Sequence, residues 1–117
     1  MAHGFPHAAF DGWLQCGSAR AGFYDAISAR TREWAAGRRG DRWHSADALA
    51  MAVALAPDGV LAAVERPVVV ELDGRHTRGM TVVDWRREEG RSDNARILQQ
   101  YDQPRFEALV AAALAAG

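Results

Sequence analysis

From residue 46 to residue 56 the chain is apolar at every position except Asp47. Ser45 stands just before this run, and its hydroxyl suits the N-cap of a helix. Ala, Leu and Met follow, all strong helix formers, and Pro57 with Gly59 ends the run. A helix apolar on all sides is expected to be buried. That would place Asp47 in the first turn of a buried helix, where the amide dipoles favour an anion. An unpaired buried charge is costly, so the carboxylate needs a partner. An arginine, free backbone amides or a metal ion would each serve, and a second capping carboxylate is the simplest assignment.

The same reading places the other elements. Residues 1–17 mix Gly, Pro and aromatics and predict a loop with one helical turn around Phe10 to Leu14. His3 and His7 are four apart, but Gly4 and Pro6 argue against a helix presenting them together, so two surface histidines are expected. Ser18 caps a first long helix reaching Ala36 and closed by Gly37. Phe23, Ile27 and Trp34 fall on one of its faces and are expected to pack into the core. Residues 38–44 form a polar loop. Residues 60–63 suggest a helical turn. Residues 67–72 predict a strand apolar on both faces and therefore interior. Asp73-Gly74 signals a turn, and residues 79–85 a second strand pairing antiparallel with the first. Residues 86–94 are a solvated loop and 95–101 an edge strand. Asp102 or Gln103 caps a last helix with Pro104 in its first turn, and Phe106, Leu109, Val110, Ala113 and Leu114 form its buried face.

Composition narrows this only modestly. The 117 residues are 49% hydrophobic and 25% charged, as expected of one globular domain or a piece of one. A net charge of −1 offers no field for nucleic acid or an anionic membrane. The single Cys16 fits a reducing compartment, and no run has the length of a membrane span, so a cytoplasmic location is expected. The chain has no Gly-rich phosphate loop, zinc-spaced Cys/His cluster, nucleophile elbow or paired-carboxylate motif.

The order of segments is more specific. Ser45 to Ala54 leads through Pro57-Asp58 into an apolar strand. Val70-Glu71-Leu72-Asp73-Gly74-Arg75-His76-Thr77-Arg78-Gly79-Met80-Thr81-Val82-Val83-Asp84 comes next, then Asn94-Ala95-Arg96 and a helix opened by Asp102-Gln103-Pro104-Arg105-Phe106. This resembles the C-terminal part of the inosine-uridine preferring nucleoside hydrolases, with Thr77 to Asp84 the most specific piece. The resemblance implies an α/β fold, the C-terminal portion of the Rossmann-like nucleoside hydrolase fold. Three helices and a small, largely antiparallel set of strands are expected here. It also implies hydrolysis of the N-glycosidic bond of ribonucleosides to free base and ribose.

That family uses a bound calcium ion, held mostly by an aspartate-rich motif at its N-terminus. The present sequence has no such motif, and residues 1–117 are expected to be a C-terminal fragment, inactive alone. The one calcium ligand the family carries in this region matches Asp47. Many members place a histidine directly before that aspartate to protonate the leaving base; Ala46 stands there instead. His44 is a candidate pocket residue, and Trp43 a candidate to stack on a base. Expected partners are a ribonucleoside substrate and either a further copy of the chain or a complementing N-terminal half, with no nucleic acid and no membrane. The alternative is a degenerate, non-catalytic paralogue acting as a subunit or interaction module.

Overall fold

The computed structural model describes residues 3–38 and 40–117; Met1, Ala2 and Arg39, the last inside the predicted polar loop 38–44, lie outside the described residues. The chain divides into two compact units, one formed by Met1–Gly59 with Tyr101–Gly117 and the other by Val60–Gln100. Among the described residues there are four α-helices, one more than expected, and three two-stranded sheets.

The first unit opens on β1 (Phe5–Pro6), which pairs antiparallel with β2 (Arg42–Trp43) so that Phe5 faces Trp43. Helix α1 (His7–Leu14) follows directly, where a single turn was expected. Pro6 does not bar this helix, because it occupies the N-cap with φ −54°, where no amide proton is required. Phe10 and Leu14, four apart, are its buried positions. Helix α2 (Ala19–Ala36) is capped by Ser18, whose hydroxyl oxygen accepts from the Ala21 amide at 2.9 Å.

The face of α2 that turns inward is the one bearing Ala21, Ser28 and Ala35. Phe23 and Ile27 are 64% and 59% exposed, so the expected packing of the Phe23/Ile27/Trp34 stripe is overturned. Small residues at sevenfold spacing let α2 lie close on its neighbours, and the bulky face is left outside. Trp34 is exposed too, with the Arg38 guanidinium 5.3 Å from its ring centroid. Arg32 crosses from α2 to bind Asp11 of α1 as well as Asp25, and its side chain is mostly covered.

Helix α3 (Ala46–Leu55) begins at Ser45, whose hydroxyl accepts from the Ala48 amide at 3.4 Å. Only Leu49 and Ala52 are buried along it, while Met51 and Leu55 are exposed. The expectation of a helix buried on all sides therefore fails: within this unit α3 has neighbours on one side only. A 3-10 turn, Pro57–Gly59, ends it. Helix α4 (Gln103–Ala115) is capped by Asp102, which accepts from the Arg105 amide at 3.1 Å. Its C-terminal carbonyls are met by α2 and the approach to it: Ser18 donates to Leu114 O, and Arg20 donates to Ala113 O at 2.8 Å. The core gathers Phe5, Phe10, Tyr101 and Phe106, with the rings of Phe5 and Phe106 4.8 Å apart.

In the second unit β3 (Val60–Arg66) pairs with β6 (Ala95–Tyr101), and β4 (Val68–Val70) with β5 (Thr81–Val83). Residues 60–63 are strand, not the expected helical turn. Val60 and Val64 suit a strand, and pairing with β6 decides the matter. The β4–β5 pair is antiparallel as expected, with Val69 opposite Val82. It is not interior: Val70 and Val82 are 53% and 42% exposed.

Candidate functional site

The chemistry-bearing residues singled out from the sequence, Trp43, His44 and Asp47, enter and open α3. Each has a different environment. Trp43 stacks on Phe10, with ring centroids 5.9 Å apart and planes 14° from parallel. One indole face is thereby committed to the core, and its Nε1 is buried without a hydrogen-bond partner among the described residues. His44 is half-buried. Its Nδ1 lies 2.8 Å from the His3 carbonyl, which can only accept, so Nδ1 carries the proton. The ring is held against Gly4, where any Cβ would fall 2.6 Å from Cε1 and Nδ1 of His44.

Asp47 lies on the exposed side of α3's first turn and makes no hydrogen bond or ion pair among the described residues. The expected buried carboxylate is therefore a solvated one. The reason is the one-sided packing of α3: Leu49 and Ala52 face inward, and Asp47 lies off that face. No group of three or more metal-binding side chains occurs among the described residues. Calcium takes about six to eight oxygen ligands. Asp47 offers at most two of these, so the donors of this chain do not by themselves fit the ion.

A groove of about 230 Å³ lies within the first unit, walled by Phe5, Phe10 and Trp43 on one side and by Met51, Leu55 and Leu109 among others. Its lining is almost wholly apolar. Of the polar side chains that border it, Arg20 is engaged with Ala113 O and Ser45 with the Ala48 amide; Tyr24 and Trp43 line it as well, and the Trp43 Nε1 has no hydrogen-bond partner among the described residues.

Sequence reasoning missed His3. It was expected at the surface with His7, yet it is 8% exposed and hydrogen-bonded at both ring nitrogens. Its partners, Gln103 and Tyr101, are about a hundred residues away, and no local pattern announces them.

The Thr77–Asp84 stretch runs from a turn into β5. Gly79 has φ +84°, which side chains rarely adopt. Glu71 accepts from the amides of Asp73 (2.8 Å) and Gly74 (3.1 Å), and these bonds hold its carboxyl below the usual carboxylate range. Asp84 is also lowered. Partial desolvation works against this, but amides from the following turn outweigh it, led by those of Glu89 and Glu88, each at 3.2 Å. Asp84 thus anchors the turn that follows it through backbone amides.

The family model for inosine-uridine preferring nucleoside hydrolase matches residues 3–108, and the chain belongs to that family. Among solved structures, 18 chains match. One is an inosine-guanosine nucleoside hydrolase, 26% identical, with a TM-score of 0.73 over 92% of this chain and 34% of that one. The chain thus spans about a third of the length of that relative. No curated protein sequence matches it. The fold class is the expected one, an α/β portion of the nucleoside hydrolase fold, with four helices among the described residues instead of three.

Proposed function

We propose that this chain supplies one part of a calcium-dependent nucleoside hydrolase, which cleaves the N-glycosidic bond of ribonucleosides to free base and ribose. The family match over residues 3–108 carries this reading. Asp47 supports it, because a carboxylate at the start of α3 with no partner of its own is free to ligate an ion. In this reading Asp47 gives the calcium one or two of its ligands, and the remainder come from polypeptide beyond these residues. His44, fixed as the Nδ1-protonated tautomer, borders the same helix start, and Trp43 contributes an aromatic edge beside it. The chain alone does not turn over substrate, since one carboxylate neither holds calcium tightly nor positions a water. No helix among the described residues is long and apolar enough to cross a membrane. A reducing cytoplasm would keep the exposed Cys16 as a thiol.

A second reading, a non-catalytic subunit or interaction module, is favoured by the exposure of Phe23, Ile27, Met51 and Leu55. Calorimetric titration of calcium into the chain, with ribose release from inosine and uridine assayed on the same sample, tests the first. Weak or no binding and no turnover are expected. Tight binding lost in Asp47→Ala would show that the chain, alone or as an oligomer, completes the site.

A further inference from the structure

Every hydrogen bond around the buried His3 ring has a fixed direction. Glu107 accepts from Nε2 of Gln103 at 2.8 Å, which leaves Oε1 of Gln103 to face His3. The Nδ1 proton of His3 meets that oxygen at 2.9 Å, and the Nε2 lone pair receives the Tyr101 amide at 3.1 Å. A neutral imidazole fills both places, because it carries one donor and one acceptor. An imidazolium carries two donors, so its Nε2 proton would face the Tyr101 N–H. With the ring 8% exposed, little water reaches the gap that would result.

The groups around the ring do not resolve that conflict. Gln103 opens α4, so the ring meets the positive end of the helix dipole, which opposes a cation. The Asp102 carboxylate at that cap is engaged with the Arg105 amide, and Arg105 pairs with Asp58. Glu107 reaches the ring only through Gln103. From β2, the Arg42 guanidinium binds Gly4 O, beside His3. The Tyr101 hydroxyl is turned away to Ala52 O and Ala56 O. His44 donates Nδ1 to His3 O at 2.8 Å, and a second proton on its Nε2 would leave that bond intact. His7 opens α1 with its Nε2 buried and unpartnered among the described residues, so its titration has to be told apart from that of His3.

We propose that His3 is an acid-released latch: neutral, it ties residues 3–5 to Tyr101 and α4, and on protonation it lets that segment go together with the His44 ring. His44 follows because His3 O is the acceptor that fixes its tautomer. Acid thereby alters the approach to α3 without titrating Asp47. The latch holds above the ordinary imidazole value, about 6.5, and is lost as the pH falls below it, because a released ring takes up the proton first. It is independent of the hydrolase reading.

Hydrogen exchange and histidine ring NMR on the 117-residue chain, from about pH 7.5 to about pH 5, test this. Protection of the Tyr101 amide, corrected for the pH dependence of exchange itself, is expected to drop about tenfold or more, in step with the gain of the His3 Nε2 proton. The Gly22 amide of α2, bonded to Ser18 O, should keep its protection. His3→Gln offers an acceptor oxygen with no proton to gain in this range, and should hold Tyr101 protection constant. His7→Gln should leave the drop in place.

A His3 ring that gains its proton while the Tyr101 amide stays protected would overturn the proposal, as would a ring that stays neutral down to about pH 5. An equal drop in His3→Gln, or its abolition by His7→Gln, would assign the effect to another group and overturn it too. Should His3→Gln fail to fold, the ring measurement on the unsubstituted chain decides alone.

Discussion

The backbone amide of Tyr101 donates to Nε2 of His3 at 3.1 Å, joining residues 98 positions apart inside the core of the first unit. The other ring nitrogen faces Oε1 of Gln103 at 2.9 Å. The Gln103 amide nitrogen donates to Gly4 O and to Glu107, which leaves Oε1 as an acceptor, so His3 Nδ1 carries the proton. His3 is held as a neutral imidazole whose lone pair serves a buried amide. His3→Ala leaves the Tyr101 N–H buried and unpaired. A loss of about 1–3 kcal/mol is expected in urea unfolding. A loss near zero would mean that water takes the place of the ring.

Tyr101 also fixes the end of α3, its hydroxyl lying 2.8 Å from Ala56 O and 3.2 Å from Ala52 O. Gly59 lies directly against its ring, and a Cβ there would fall 2.5 Å from Cζ. The ring is 1% exposed and cannot swing away without losing those bonds. Gly59→Ala should therefore destabilise by about 1–3 kcal/mol through overpacking. Gly12→Ala makes the opposite prediction. It lies inside α1 with nothing within 4 Å of the added methyl, so a gain of about 0.5–1 kcal/mol is expected. Thermal unfolding of the two variants side by side checks both signs.

Asn94 imitates a strand residue. Its side-chain Oδ1 accepts from Val68 N at 2.7 Å and its Nδ2 donates to Val68 O at 2.9 Å, satisfying the outer edge of β4. Asn94→Asp keeps the shape but sets a carboxylate oxygen against the Val68 carbonyl. Faster hydrogen exchange at the Val68 amide is expected, with a cost of about 1 kcal/mol in the second unit.

Glu71 and Asp84 make the turns of the second unit sensitive to acid. Both carboxyls titrate below their ordinary values, so the unfolded chain takes up these protons first as pH falls. Their contribution is thus fully present above the usual carboxylate range, about pH 4, and is lost as pH drops through the lowered folded values. Amide exchange at Asp73, Gly74, Glu88 and Glu89 should accelerate in that acid window. Glu71→Gln should remove the pH dependence at Asp73 and Gly74 only. Unchanged exchange through the window would show that these carboxylates do not hold the turns.

Asp47→Ala separates ligand from structure. With an exposed side chain and no partner among the described residues, its loss should change stability by no more than about 0.5 kcal/mol. In an assembled hydrolase the same change should weaken calcium binding by orders of magnitude.

Local chemistry was enough to place the helix starts. Ser18, Ser45 and Asp102 each accept an amide of the first turn, as their side chains dictate, and Gly turns frame the β4–β5 pair. The order of segments was enough to indicate the family. What tertiary structure alone decided is which face each helix buries. In α2 and α3 apolar residues occupy several faces, so periodicity could not select between Phe23 with Ile27 and Ala21 with Ser28, or reveal that Asp47 is solvated. Close approach of neighbouring helices selected the small-residue face, and one-sided packing exposed the rest. Residues 60–63 became strand because β6 was there to pair with them. The bonds from His3 to Tyr101 and Gln103 exist only once the two ends of the chain meet, an event that no short window of sequence encodes.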